Sequence, residues 1–193
     1  MARARLPVDD EDSDDIAPDA LSLLRRDHRL VEEMFAEFAH SAPQQLDPLA
    51  RRICKMLRVH TQIEEELFYP AVSRALTSED KELVGHAQAE HEQAKQAISR
   101  IESMTSENPA FRNEIDLLNR SIAEHVAAEE QELFPKVTAT SIDLLALGVA
   151  LAERRDTLLD VLGLHGDDEE GAANQRETRP DDQVKARPSP ESG

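Results

Sequence analysis

Between residues 19 and 163, apolar side chains recur at three- and four-residue steps, with charged and polar positions filling the intervals. No stretch alternates in the period-two pattern of a strand and glycine is scarce, so the pattern predicts helix throughout. The first helix is expected over residues 19–40, stopping before Pro43. The second opens at Asp47-Pro48, a capping residue followed by proline at the first helical position. The third follows the start signal Thr77-Ser78. The fourth opens at Asn108-Pro109 and continues past His125 to about Pro135. A fifth, over 141–163, is apolar along LLALGVALA and is expected to pack on the bundle or on another subunit, which makes a homodimer one expectation. Short connections favour antiparallel neighbours. The predicted fold is therefore all-α: an up-down-up-down four-helix bundle over 19–138 with an additional C-terminal helix over 141–163.

The same stripes carry polar residues that an apolar core would exclude. His28 lies among Leu21, Leu24, Val31, Phe35 and Phe38; His60 continues Ile53, Met56, Leu57, Ile63 and Leu67. His91 lies among Ala87, Ala94, Ile98 and Ile101, and His125 continues Ile115, Leu118 and Ile122. Position i+4 is only about 40° round a helix from i, so His60 with Glu64, and His125 with Glu129, share a face. Each of the four helices thus aims one histidine at the core.

The arrangement also repeats. HTQIEEELFYP from His60 and HVAAEEQELFP from His125 both place a glutamate pair four residues after histidine and a proline ten after it. His28 precedes His60 by 32 residues, His91 precedes His125 by 34, and an acid, Asp27 or Glu90, stands directly before each leading histidine. The bundle reads as two copies of one helix pair. Four imidazoles and two carboxylates buried together need partners, because an unpaired buried ion costs several kcal/mol. A pair of metal ions supplies them. The donors are nitrogen and oxygen without thiolate, which suits iron or manganese better than a closed zinc site. With Glu64 and Glu129 bridging, and one shared oxo or hydroxo group, each ion keeps a position open for a small ligand.

Several residues are assigned plainer roles. Glu65 and Glu130 lie about 100° from the ligand face and read as outer or surface acids. Tyr69 lies half a turn round from His60 and reads as packing. His86, with Glu90 four residues on, lies on a solvated row that continues into Gln93, so His91 and not His86 is assigned to the core. Pro70 and Pro135 are expected to set helix exits. Cys54 reads as packing.

Charge and length narrow the functions further. The 193 residues carry a formal net charge of -18, which works against nucleic-acid or anionic-membrane partners. Part of that charge lies in acidic segments, residues 1–18 and 164–193, that read as disordered tails. The N-terminus has no apolar signal region, no segment has the length of a membrane span, and the one cysteine fits a reducing compartment, so a cytoplasmic location is expected.

At RRDH, HTQIEEELFYP, AEHEQAK and HVAAEEQELFP, over about residues 21–137, the chain resembles the hemerythrin-like, or HHE cation-binding, family. The resemblance implies a non-haem di-iron centre in a bundle, held by His28, His60, Glu64, His91, His125 and Glu129 with the two glutamates bridging. It implies a protein that carries or senses dioxygen, handles nitric oxide or peroxide, or senses iron. Oxygen-carrying members place two histidines four apart on the third helix; here Ala87 stands where the partner of His91 would be, which weighs against reversible oxygen carriage. Two function classes follow, a binding or sensing module for a small diatomic ligand and an enzyme detoxifying nitric oxide or peroxide. A metal-free helical interaction protein is the third.

Overall fold

The computed structural model describes residues 18–164, so the readings of 1–17 and 165–193 as tails lie outside the described residues. Helix α1, Ala20–His40, begins where the Asp19 carboxylate accepts the Leu21 and Ser22 N–H groups. Helix α2, Leu46–Ile63, follows a short 3₁₀ turn, Pro43–Gln45. A five-residue π-helical turn, Glu64–Phe68, joins α2 to α3, Tyr69–Ala75, without breaking the rod. Helix α4 is Lys81–Glu102. Helix α5, Phe111–Ala128, passes through a second π turn, Glu129–Leu133, into α6, Phe134–Thr138. Helix α7, Leu144–Leu162, is capped by the Asp143 carboxylate on the Ala146 N–H and closed by Gly163 at φ 66°, the left-handed region that glycine adopts without penalty.

Helices α1, α2, α4 and α5 form the bundle, with α1 against α2 and α5, and α4 against α2 and α5. Ile53, Leu57, Ile63, Ile98, Ile115 and Leu118 fill its centre. The fifth helix lies in the seam of α1 and α2. A Cβ at Gly148 would stand 2.3 Å from the Pro18 carbonyl oxygen, so only glycine lets α7 approach the start of α1 this closely. Arg155 of α7 binds Asp27 of α1, and Arg154 binds Glu66 in the first π turn. Among the described residues, no helix is long and apolar enough to cross a membrane.

Three boundary expectations need correction. Asp47 sits inside the first turn of α2 and does not cap it; its carboxylate accepts the backbone N–H and hydroxyl of Ser106, tying the α4–α5 loop to the bundle end. Asn108 accepts the Ala110 N–H and forms a turn ahead of α5, which begins at Phe111. Pro70 and Pro135 do not set helix exits. Each lies two residues beyond the end of a π turn, and the wider turn relieves the clash that a proline ring makes with the carbonyl four residues back. The rods then run on to Ala75 and Thr138.

Candidate metal centre

The two π turns begin at Glu64 and Glu129 themselves. Each glutamate therefore closes a regular α-helix that carries its histidine one turn earlier, and the backbone widens just after the pair. His28, His60, Glu64, His91, His125 and Glu129 all meet at mid-bundle, and none is more than 5% exposed. His60 Nε2 and His91 Nε2 lie 3.2 and 3.3 Å from Glu64 Oε2. His28 Nε2 and His125 Nε2 lie 3.5 and 3.7 Å from Glu129 Oε2. Donor atoms of His28, His60, Glu64 and Glu129 fall within 4.8 Å of one another, and those of Glu64, His91 and His125 do likewise, so Glu64 belongs to both groups.

A ring of outer carboxylates orients the imidazoles. His28 Nδ1 donates to Glu130 at 2.8 Å, His91 Nδ1 to Glu65 at 3.1 Å and His125 Nδ1 to Glu90 at 2.9 Å. His60 Nδ1 faces Asp27 at 4.0 Å, an ion-pair distance rather than a hydrogen bond. The doublet in each repeat is thereby explained: the first glutamate enters the centre, and the second holds a histidine on another helix. Because an ionised carboxylate only accepts, the proton stays on Nδ1 and the Nε2 lone pair faces inward. Three of these acids also meet a cation, Glu130 with Arg29 at 2.7 Å, Glu65 with Lys95 at 2.6 Å and Asp27 with Arg155 at 2.9 Å. These cations carry no spacing signal in the sequence; only helix packing brings them there.

The pseudo-twofold breaks at one position. Tyr69 and Phe134 occupy matching places after the two π turns, yet the Tyr69 hydroxyl donates to Glu129 Oε1 at 2.8 Å and lies 3.3 Å from His91 Nε2. Phe134 instead stacks on His28, with ring centroids 6.1 Å apart. The packing role expected for Tyr69 is thus corrected. Continued as an α-helix, Tyr69 would point about 140° from Glu64. At about 82° per residue in the π turn, it points only about 50° away.

Without bound ions this cluster is electrostatically incomplete. His28 Nε2, both nitrogens of His60, both oxygens of Glu64 and Glu129 Oε2 are buried with no hydrogen-bond partner. At about 1–3 kcal/mol for each such group, the six would cost on the order of 10 kcal/mol, comparable with the whole net stability of a domain. His91 Nε2 and His125 Nε2 lie 3.2 Å apart, so two lone pairs face each other. Two nitrogens bonded at right angles to one ion, each at about 2.1 Å, would stand about 3 Å apart. Burial, and then the neighbouring Glu129, pushes the Glu64 carboxyl well above its ordinary value. Glu129 goes the other way: burial opposes its charge, but His28, His125 and His60 outweigh it and hold the carboxyl low. Burial lowers His91 and His125, keeping both imidazoles neutral and available as donors. The residues present fit a pair of divalent or trivalent cations with mixed nitrogen and oxygen ligands.

Three spaces adjoin the centre, one of them beside Glu129 between α4 and the second π turn. A small interior, lined by the four histidines, Asp27 and Thr61 together with the apolar Val31, Leu57, Ile122 and Val126, sits directly against it. A groove of about 640 Å³ between α1 and α5 shares His28, Ile122 and Val126 with that interior, and adds Phe35, Ala36 and Ala123. His86, by contrast, is exposed on α4 and belongs to neither ligand group.

Comparison with known proteins agrees with this architecture. A Mycobacterium kansasii Rv2633c homolog, solved as a hemerythrin HHE cation binding domain-containing protein, superposes with a TM-score of 0.66 at 22% identity, covering 78% of this chain and 94% of that one. Among curated proteins, the uncharacterised Rv2633c of Mycobacterium tuberculosis is 29% identical over 105 residues, 53% of this chain and 62% of its own length. A protein of Nostoc sp. PCC 7120 named DNA nickase is 28% identical over 116 residues, 60% of this chain but 32% of its own length. The match thus spans under two thirds of either curated relative. The family model of the hemerythrin HHE cation binding domain matches residues 19–137, and with the bundle and its buried histidine–glutamate cluster in place, the chain belongs to that family.

Proposed function

We propose that the chain is a non-haem di-iron protein that binds dioxygen, nitric oxide or peroxide inside the bundle. His28, His60, Glu64 and Glu129 would hold one ion, and His91, His125 and the shared carboxylates the other. The observation that carries this reading is the pair of ligand groups joined at Glu64 and surrounded by buried polar atoms without partners. Nitrogen and oxygen donors suit iron, with manganese as the alternative. Bound iron would supply a Lewis-acidic, redox-active position next to the apolar interior. The chain's own residues do the rest. Outer carboxylates fix the imidazole tautomers, and Val31, Leu57, Ile122 and Val126 keep the interior apolar, which favours small, weakly hydrated ligands.

Tyr69 supports a second, enzymatic reading, the reduction of nitric oxide or peroxide. Burial, with Glu64 and Glu129 beside it, pushes the phenol well above its ordinary value, so its oxygen keeps a proton 2.8 Å from Glu129. A sensor needs no such donor, whereas peroxide or nitric oxide reduction consumes protons. The nicking activity in the Nostoc relative's name finds little support here, since a net charge of -18 opposes a phosphate backbone.

Metal analysis of protein purified without oxygen tests the first reading. Two ions per chain, mainly iron, are expected, with both lost in Glu64→Ala and Glu129→Ala because each carboxylate serves both ions. A stoichiometry near zero would overturn it. Turnover of peroxide or nitric oxide, reduced by at least about tenfold in Tyr69→Phe at unchanged metal content, separates enzyme from sensor.

A further inference from the structure

Of the four carboxylates that orient the histidines, Glu90 differs. Glu130, Glu65 and Asp27 each meet a cation of the protein, whereas Glu90 has no cationic side chain among the described residues other than its own His125. Its side chain is 38% exposed and opens into a pocket of about 130 Å³ between α4 and the second π turn. His86, one turn before Glu90 on α4, and Glu132 of the π turn line the same pocket. Neither has a hydrogen-bond partner or ion pair among the described residues. Ala87 and Ala128 keep the walls small, and Glu129, 2% exposed and with Oε2 unpartnered, closes the inner end.

We propose that His86, Glu90 and Glu132 form an entry site that captures a hydrated divalent transition-metal cation and passes it to Glu129 of the buried centre. One imidazole and two carboxylates match the donor preference of ferrous or manganous ions. The two carboxylates at the pocket mouth concentrate cations and raise the capture rate, and the imidazole adds a nitrogen donor. The apolar α1–α5 groove lacks these features: its carboxylates Glu32 and Glu130 are both engaged by Arg29. The site also gives a role to His86, which the buried centre does not use.

This inference rests on the metal-binding reading, and the two can fail separately. Full-length protein is stripped by a chelator and then mixed anaerobically with limiting ferrous ion. A chromogenic chelator captures the free ion at successive times. The double variant H86A/E132Q is expected to take up iron about tenfold more slowly than the native chain while reaching the same end point. Ala128→Leu, which fills the pocket without changing charge, is expected to slow uptake similarly. Asp116→Asn, an exposed acid elsewhere on α5, removes the same net charge as the double variant and is expected to leave the rate unchanged. Equal rates in the native chain and H86A/E132Q, at equal end points, would overturn the entry site and leave the metal centre standing. A native chain that takes up no iron would overturn both. A lower end point in H86A/E132Q would place these residues among the permanent ligands and also overturn the proposal.

Discussion

At the scale of single residues, the molecule distinguishes side chains that look alike in sequence. His91 is 1% exposed and faces Glu64, whereas His86 is exposed on the same helix. His91→Ala is therefore expected to lower the equilibrium metal content and His86→Ala to leave it near the native value, by elemental analysis. Tyr69 makes the two halves of the centre unequal, because its hydroxyl reaches Glu129 and His91 while Phe134 offers none to His28. Mössbauer spectra of iron-loaded protein should show two distinct environments that converge in Tyr69→Phe; no change would remove Tyr69 from the site. Cys54 is a packing residue. Burial, with Glu102 adding to it, raises its thiol from the ordinary 9.0 to about 12. The folded value lies above the unfolded one, so the thiol's contribution to stability is complete below pH 9 and is lost as pH rises toward 12. At pH 8 a thiol reagent should leave native protein unmodified and label it once unfolded.

Between residue and molecule lies the element, and here the π turns and α7 matter most. Each π turn starts at an inward glutamate and ends before a proline, so one wider turn both accommodates the ring and re-aims the residue before it. Helix α7 fastens the first helix pair from outside, through Gly148 against the start of α1 and Arg155 on Asp27. Asp27 in turn faces His60. Burial opposes the Asp27 charge, but His60 and Arg155 outweigh it and hold its carboxyl below the ordinary value. Gly148→Ala would force its Cβ against backbone and should destabilise the fold by about 1–3 kcal/mol, measured by thermal unfolding. An unchanged melting temperature would mean that α7 does not seat as described.

The whole molecule joins fold and cations into one equilibrium. A ligand bound only by the folded state adds about 2.7 kcal/mol at a hundredfold excess over its Kd. For a domain of this size that corresponds to at least about 5 °C. Chelation should lower the melting temperature by that much, since it restores a core with orphaned imidazoles and carboxylates; equal values for loaded and stripped protein would contradict the metal-binding reading. Uptake should also release protons, because burial and the neighbouring Glu129 hold the Glu64 carboxyl well above its ordinary value, while a bound cation would favour its ionised form. A pH-stat titration measures this directly.

Local chemistry wrote much of this molecule into the sequence. Helical periodicity placed the five rods, and a histidine on each bundle stripe, followed in two of them by a glutamate one turn on, located the six inward residues, because both signals depend only on 3.6 residues per turn. The pairing of the two halves was legible as well, in the matched offsets of HTQIEEELFYP and HVAAEEQELFP. Other features were decided by tertiary structure. Glu65 serving His91, Glu130 serving His28, and Arg155, Arg29 and Lys95 behind the outer acids are contacts between helices, mostly distant in sequence, which no spacing rule encodes. Tyr69 entered the site for a subtler reason. A single widened turn shifts every residue after it by most of a helical step, a change that the period of apolar and polar positions does not register.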